Sequence, residues 1–205
     1  MYMRIHKTGG TSMAAWWRSC YGDRYVHRGN DHKKALETIR NSGGHWEGID
    51  CIAGFWFPQD ILYGFSPVTH LREPVERAAS EYFNVMRQPK HYYHDVIKDL
   101  SQTEGIRDFC NNPDFRNVQT RFMCGKWYDE PVVGDDFAVA QENMKMFARI
   151  GRLDEIDDHV KALGRRFQIT GQPYPHSQKG TQKSGRDWID QLTKEEVALF
   201  AEANT

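Results

Sequence analysis

The sequence predicts an α/β protein in which a central parallel sheet is flanked by helices. Three stretches carry this prediction, because each begins with a short apolar run and continues as a helical pattern: residues 2–20, 67–87 and 148–166. A further apolar run over residues 49–54 stops at a glycine and is typical of one more strand. Strands that alternate with helices pair in parallel, and the helices then cover the sheet.

Most of the remaining chain is predicted to be helical. We expect further helices over residues 95–100, 103–110, 114–123 and 136–146. A capping box from Thr193 to Glu196 opens the last helix. The polar segment 21–48 is predicted to be irregular, with a short helix near residues 33–41.

Composition limits the classes of function that need to be considered. The chain has 205 residues, of which 39% are hydrophobic and 27% are charged, and its net charge is −1. These values fit a single domain over residues 1–205, and the apparent helix that reaches Thr205 suggests truncation at this end. A charge this close to zero argues against a protein that coats nucleic acid or an anionic membrane. Any anion binding must therefore be local.

The sequence shows neither a membrane anchor nor a cysteine-based site. No apolar run approaches the roughly 20 residues that span a bilayer, and no signal peptide precedes the first strand. We therefore expect no membrane span, and a cytoplasmic protein if the chain is complete. The four cysteines lack Cys-x-x-Cys spacing, so a zinc site is not expected. They are interpreted as core thiols, with a Cys110–Cys124 disulfide as the alternative.

The first strand and the turn after it have the features of an anion-binding loop. The apolar run ends at Gly9 and Gly10 and restarts at hydroxyl residues, which predicts a strand, a tight turn and a capped helix. Backbone N–H groups in such a turn bind phosphate or sulfate together with the positive end of the helix dipole. Because Lys7 precedes the glycines, the common nucleoside triphosphate loop does not fit. Lys7 adds a positive charge, and hydroxyl donors follow at Thr8, Thr11 and Ser12.

A second anion-binding stretch is predicted at residues 67–83. Pro74 separates a strand from a helix and suits the first helical turn. Arg72 then lies at the carboxyl end of the strand, where open α/β sheets bind ligands. Ser80 follows about two turns along the helix. An arginine and a serine placed in this way can bind a second phosphate.

These two motifs resemble the donor site of a known enzyme family. Residues 7–12 (Lys-Thr-Gly-Gly-Thr-Ser) resemble the 5′-phosphosulfate loop of sulfotransferases that use 3′-phosphoadenosine 5′-phosphosulfate (PAPS). Residues 71–77 (Leu-Arg-Glu-Pro-Val-Glu-Arg) with residues 80–82 resemble the 3′-phosphate motif of the same enzymes. Weaker similarity extends to residues 117–122 and 147–155. The chain is similar to the Golgi-type carbohydrate sulfotransferases, especially the heparan sulfate 2-O- and 6-O-sulfotransferases, and to their bacterial counterparts.

The resemblance implies a P-loop-like nucleotide-binding (sulfotransferase) fold and an activity. Such an enzyme moves the sulfuryl group of PAPS to an acceptor hydroxyl on a carbohydrate without a metal. It implies that Lys7 neutralises the bridging oxygen, that the backbone of residues 9–12 holds the 5′-phosphate, and that Arg72 and Ser80 hold the 3′-phosphate. The resemblance also implies that a late polar loop closes over the cofactor, with Lys179 and Gly180 touching the 3′-phosphate or the adenine; a disordered linker is the alternative interpretation of this loop. The Golgi lumen is the expected location if an anchor has been removed.

The general base is the main departure from the family pattern. In the family, the second strand commonly ends in Gly-His and the histidine is the proposed base, whereas Phe55 follows Gly54 here. His45, in a glycine-rich loop, is our candidate for the base. Transfer through a loose transition state also allows positioning and charge to supply much of the rate. Three further candidates are weaker: His27, Glu47 and His70. The last is interpreted as a histidine with hydrogen-bonded ring nitrogens, either in the core or behind the residues that contact the ligand.

Acceptor contacts are predicted at five residues: Phe55, Tyr92, Tyr93, Gln119 and Arg121. The aromatic loop at residues 89–94 suits stacking on a sugar or a phenol, so a polysaccharide, a glycolipid and a small phenol all remain open as acceptors. Metal binding by His91 and His94 is a weaker hypothesis because no third ligand is in view.

Two other functions remain open. A kinase-like phosphotransferase on a related α/β fold would need a magnesium-binding carboxylate at a strand end, and Asp50 is poorly placed for this. A non-catalytic PAPS-binding module is the other, because Phe55 replaces the expected base.

Overall fold

The protein has a central sheet whose strands all run in the same direction. The structure, a computed structural model, describes residues 1–28, 48–55, 58, 64–127, 130–170, 172–175 and 185–204. In this part of the chain the strands are β1 (Tyr2–Met3), β2 (Tyr25–Arg28), β3 (Cys51–Gly54), β4 (Val68–Leu71) and β5 (Arg149–Arg152). They form one five-stranded parallel sheet in the order β2-β3-β1-β4-β5. The predicted α/β class and parallel sheet are confirmed.

Helices follow and cover these strands. They are α1 (Gly10–Tyr21), α2 (Pro74–Met86), α3 (His94–Ile97), α4 (Gln102–Asn111), α5 (Val118–Cys124), α6 (Asp136–Met144), α7 (Ile156–Arg166), α8 (Gly185–Ile189) and α9 (Lys194–Glu202). Local sequence explains several of their starts. Glu73 caps α2 by accepting hydrogen bonds from the N–H groups of Val75 and Glu76, and Pro74 occupies the first turn. The predicted capping box of Thr193 and Glu196 is present at the start of α9.

Strand β2 corrects the prediction that residues 21–48 are irregular. Among the described residues it pairs with β3 alone, at the edge of the sheet, in register from Tyr25 opposite Cys51 to Arg28 opposite Gly54. An edge strand has one neighbour and needs fewer apolar side chains than a central strand, so its polar sequence gave no strand signal. The helix predicted near residues 33–41 lies outside the described residues.

The central strand β1 buries both of its faces, as alternating side chains require. Met1, Met3 and Ile5 pack with α5 and α6 on one face of the sheet. Tyr2 points to the other face, where the core is formed with α1 and α7. A third apolar cluster joins α2 to α3, α4 and α9. The sheet is therefore a covered central layer, with an additional group of helices around α2.

The strand order creates one position at which ligand binding is expected. In the strand order, β3 and β2 lie to one side of β1, and the chain passes from β1 through α1 to β2 in that direction. On the other side of β1 lie β4 and then β5. The connections therefore diverge between β1 and β4, and in open α/β sheets ligands bind beyond the carboxyl ends of such strands. Both predicted anion-binding motifs follow these two strands.

The cysteines and helix lengths complete the description of the fold. All four cysteines are free, so the alternative of a Cys110–Cys124 disulfide is wrong. Cys110 packs in the cluster around α2, whereas the thiol of Cys124 lies 2.7 Å from the carbonyl oxygen of Asp136. Within the described ranges, no helix is long and apolar enough to cross a membrane.

Candidate functional site

The turn after β1 is tight and depends on one glycine. Lys7 and Gly9 both have left-handed backbone conformations, with φ of 64° and 84°. A side chain at Gly9 would bring its Cβ within 2.6 Å of Leu153 Cδ1, so the position requires glycine. The hydroxyl of Thr8 is fully buried and donates to the carbonyl oxygen of Ile5 at 3.0 Å. Thr8 therefore shapes the turn from inside, although the sequence predicted a ligand contact for its hydroxyl.

The start of α1 is suited to an anion. Its N-cap, Gly9, carries no capping side chain, and the first turn contains no acidic residue. Thr11 is exposed and Ser12 is half-buried, with a side-chain hydrogen bond to Tyr174. The guanidinium of Arg4 lies against the same turn, because a Cβ on Gly10 would be 3.0 Å from Arg4 Nε. Backbone donors, the helix dipole and a cation thus coincide here.

Arg72 connects the second motif to this turn. Its Nη1 donates to the carbonyl oxygen of Lys7 at 3.3 Å, and its Nε donates to Glu76 Oε2 at 3.4 Å. The amide of Gln119 fixes the backbone of Arg72 by accepting from its N–H at 2.7 Å and donating to its carbonyl oxygen at 2.8 Å. Ser80 is half-buried on α2, about 9 Å along the helix axis from Pro74. The structure therefore brings Lys7, Arg72 and Gln119 together.

Among the residues that the structure describes, cations outnumber carboxylates around Lys7. Burial lowers the pKa of Lys7; Glu81 opposes this effect, and three arginines, Arg87, Arg72 and Arg77, reinforce it. Burial also lowers the pKa of Arg72, and the charge of Glu76 opposes this shift. Positive charges that are partly removed from water and close to one another repel, and a bound anion would relieve that repulsion.

A histidine from the turn after β1 packs on Phe55, the residue that follows β3. Phe55 is buried, and the ring of His6 stacks on it with centroids 4.4 Å apart and planes 21° apart. The guanidinium of Arg4 lies over the Phe55 ring at 4.9 Å. Burial lowers the pKa of His6 to about 4. His6 was not among the predicted bases, because the sulfotransferase pattern has its histidine after the strand that is β3 here. The position of His6 next to Lys7 was the available signal.

Glu81 is a second residue that sequence reasoning missed as a candidate. It lies on α2, four residues after Arg77, and is only 7% exposed. Its charge raises the pKa of both Lys7 and His6, and in each case it is the largest electrostatic influence after burial. The available signal was a carboxylate next to Ser80, within the 3′-phosphate motif.

Of the predicted acceptor contacts, Tyr92 alone is exposed. Its side chain is 63% exposed, and its hydroxyl donates to Asp114 Oδ2 at 2.5 Å. Tyr93 is buried in the cluster around α2, and its hydroxyl donates to Asp108 Oδ2 at 2.6 Å. Phe55 is in the core, stacked on His6 as described above. Gln119 holds Arg72 in place, so its contacts give it a positioning role.

Arg121 requires a correction. Its guanidinium is 1% exposed and donates to the carbonyl oxygens of Pro113, Asp114 and Arg116. These bonds hold the turn before α5, which leaves Arg121 with a structural role in place of the predicted substrate contact. A buried arginine needs such partners, because its charge would otherwise lose hydration without compensation.

Four candidates lie outside the described residues: His45, Glu47, Lys179 and Gly180. Of the other histidines considered as bases, His27 lies on β2, with Nε2 2.7 Å from Arg4 Nη1. His70 is fully buried on β4, in edge contact with the rings of Tyr2 and His159, as expected of a core histidine; its ring nitrogens, however, have no hydrogen-bond partners among the described residues. In the described part of the chain, no three His, Cys, Asp or Glu side chains are grouped as a metal site requires.

No protein-family model, curated protein or solved structure matches this chain. The geometry of the site and the similarity of its two motifs to a known donor site are therefore the observations from which a function is inferred.

Proposed function

We propose that the chain is a PAPS-dependent sulfotransferase that transfers a sulfuryl group to an acceptor hydroxyl on a carbohydrate. The observation that carries the proposal is the contact between its two donor-site motifs: Arg72 Nη1 donates to the carbonyl oxygen of Lys7 across 65 positions of sequence. The contact lies where the connections of β1 and β4 diverge, and three arginines act on Lys7 there.

Each residue of this region has a distinct role in the proposed reaction. The backbone N–H groups at the start of α1 bind the 5′-phosphate, and Arg72 with Ser80 binds the 3′-phosphate. Lys7 neutralises the bridging oxygen as its bond to sulfur breaks. The acceptor oxygen forms the new bond to sulfur, and the acceptor proton leaves. The positive charge that Mg²⁺ supplies in kinases comes here from the side chains around Lys7.

Nucleotide selectivity tests the donor site. We expect 3′-phosphoadenosine 5′-phosphate (PAP) to bind more tightly than AMP or ATP–Mg²⁺ in a calorimetric titration. Arg72→Ala should remove this preference, whereas Arg107→Ala, which changes an exposed arginine paired with Glu195, should retain it. A wild type without preference for the 3′-phosphorylated nucleotide would contradict the proposal and favour the phosphotransferase.

Transfer of labelled sulfate separates an enzyme from a binding module. Sulfur-35-labelled PAPS is incubated with a heparan-type polysaccharide, a glycolipid and a small phenol, and labelled products are counted. Incorporation into the polysaccharide is the expected result. Tight PAP binding with no labelled product from any acceptor would identify a non-catalytic module.

A further inference from the structure

A buried carboxylate without a hydrogen-bond partner lies beside the proposed donor site. Glu81 is 7% exposed on α2, and its Oε2 makes no hydrogen bond with any residue that the structure describes. An unpaired carboxylate oxygen that is removed from water is costly, and such groups in folded proteins commonly have a catalytic or ligand-binding role. A hydroxyl group of a ligand would satisfy it.

The packing of α2 turns the face that holds Glu81 toward the loop after this helix. Arg77, one turn earlier on the same face, donates to the carbonyl oxygen of Phe115 at 3.2 Å, and the Phe115 ring centroid lies 6.3 Å from that of His91 in the loop. In agreement with this placement, Glu81 is the largest electrostatic influence after burial on His91, and also on Lys7 and His6 in the turn after β1. Its charge also acts on Tyr92 in that loop. Glu81 therefore lies between the turn that holds the proposed donor and the aromatic loop that was predicted to contact the acceptor.

The chemistry of this position favours an acceptor hydroxyl over the nucleotide. The phosphates and the sulfuryl group are anionic, so a carboxylate repels them, whereas Lys7 and Arg72 attract them. A hydroxyl donates to a carboxylate in a short, charge-assisted hydrogen bond. Lys7 is the cation proposed to neutralise the bridging oxygen. A carboxylate that binds the acceptor hydroxyl beside Lys7 is placed to take the proton of that hydroxyl.

We propose that Glu81 is the general base that accepts the proton of the acceptor hydroxyl, an inference that rests on the proposed sulfotransferase function. In this step the acceptor oxygen bonds to sulfur and its proton moves to a carboxylate oxygen of Glu81. The bond between sulfur and the bridging phosphate oxygen breaks, and its electron pair stays on that oxygen beside Lys7. Glu81 afterwards releases the proton to solvent.

The test measures turnover and nucleotide binding separately. Labelled PAPS is supplied to the wild type, Glu81→Gln and Glu195→Gln, and labelled sulfate transferred to water or to a heparan-type polysaccharide is counted. Water is the simplest hydroxyl acceptor, so the first readout needs no knowledge of the natural one. Glu195→Gln is matched in charge and lies on an exposed residue of α9. PAP affinity is measured by calorimetry for the same proteins.

Glu81→Gln should lower kcat by at least about 10²-fold, while the Kd for PAP changes by less than about threefold and Glu195→Gln behaves as the wild type.

Two results would overturn the inference: an unchanged kcat in Glu81→Gln, and a wild type that binds PAP but turns over neither acceptor. If Glu81→Gln does not fold, Glu81→Asp keeps the charge and should reduce kcat with PAP affinity retained; equal kcat would refute the role. Absence of PAP binding by the wild type is a different result, because it refutes the donor site itself.

Discussion

In the part of the chain that the structure describes, two clusters of polar side chains, each with buried members, differ in both position and composition. The Lys7 cluster consists of His6, Lys7, Arg77 and Glu81, at the carboxyl edge of the sheet between β1 and α2. The His70 cluster consists of the buried side chains of Tyr2, His70 and His159, between the sheet and α7; the exposed Arg149 borders it and donates to His159 Nδ1 at 3.2 Å. Each cluster contains atoms without hydrogen-bond partners among the described residues, including Glu81 Oε2 in the first and both ring nitrogens of His70 in the second.

The comparison shows that burial and unpaired atoms do not by themselves identify a binding site. The rings of the His70 cluster are stacked edge to face and held neutral by burial, which lowers the pKa of His159 to about 4 and places that of His70 well below its usual range. The Lys7 cluster combines cations and a carboxylate where strand connections diverge. We therefore expect substitutions in the Lys7 cluster to change function and those in the His70 cluster to change stability.

The largest effect is expected from Lys7→Ala. Sulfuryl transfer should fall by about 10³-fold, or about 4 kcal/mol in activation free energy, because the charge on the bridging oxygen is no longer neutralised. Lys145→Ala, which changes an exposed lysine, is the matched control. Both variants should keep the thermal midpoint of the wild type. Undiminished transfer by folded Lys7→Ala would remove Lys7 from the mechanism.

Gly151→Ala tests the packing of the His70 cluster. The added Cβ would overlap the ring of His159, so the free energy of unfolding should fall by about 3 kcal/mol. Denaturant titration measures this change. The double variant Gly151→Ala with His159→Ala should show strong coupling, since removal of the ring relieves the overlap. Additive effects would mean that the ring moves aside without cost.

Acid should destabilise the protein through the same cluster. The pKa of His159 is about 4 in the folded protein, against an ordinary value of 6.5, so the unfolded chain binds the proton more readily. Stability from this group is full above pH 6.5 and is lost as pH falls toward 4, by about 2 kcal/mol between pH 7 and pH 5. Unfolding titrations at several pH values measure the loss. His159→Phe should show a smaller slope, and an equal slope would assign the effect elsewhere.

The smallest of these effects concerns the support of Arg72. Gln119→Ala removes two hydrogen bonds to the Arg72 backbone, and PAP affinity should fall by about five- to tenfold, or roughly 1 kcal/mol. Gln141→Ala, at an exposed position of α6, should leave affinity unchanged. Calorimetry distinguishes the two variants. Equal affinities in both would show that Arg72 holds its position without the Gln119 amide.

Sequence patterns predicted the local units of the fold well. Strands at β1, β3, β4 and β5 were each expected within a few residues, as were the helix from Pro74 and the capping box at Thr193. These features depend on neighbouring residues: apolar periodicity, a proline in the first turn, and reciprocal bonds three residues apart. Strand β2 was missed because it is short, polar and paired on one side only.

Roles that depend on distant partners were harder to predict. The sequence predicts Arg121 as a cleft residue, but its guanidinium donates to three backbone carbonyl groups inside the fold. Tyr93 is likewise predicted to contact an acceptor, but it is buried and its hydroxyl donates to Asp108. A side chain's type and spacing do not reveal whether its polar atoms are used inside the fold.

The sequence by itself determined that residues 7–12 and 71–80 form two turns that begin helices, with a lysine, glycines and an arginine in fixed places. Only the tertiary structure decided that these turns meet, because the order of strands in the sheet places β1 beside β4. It also placed His6 on Phe55 and Glu81 near Lys7, which are contacts between a strand end and distant parts of the chain. Such contacts arise from packing between elements, and no local pattern encodes them.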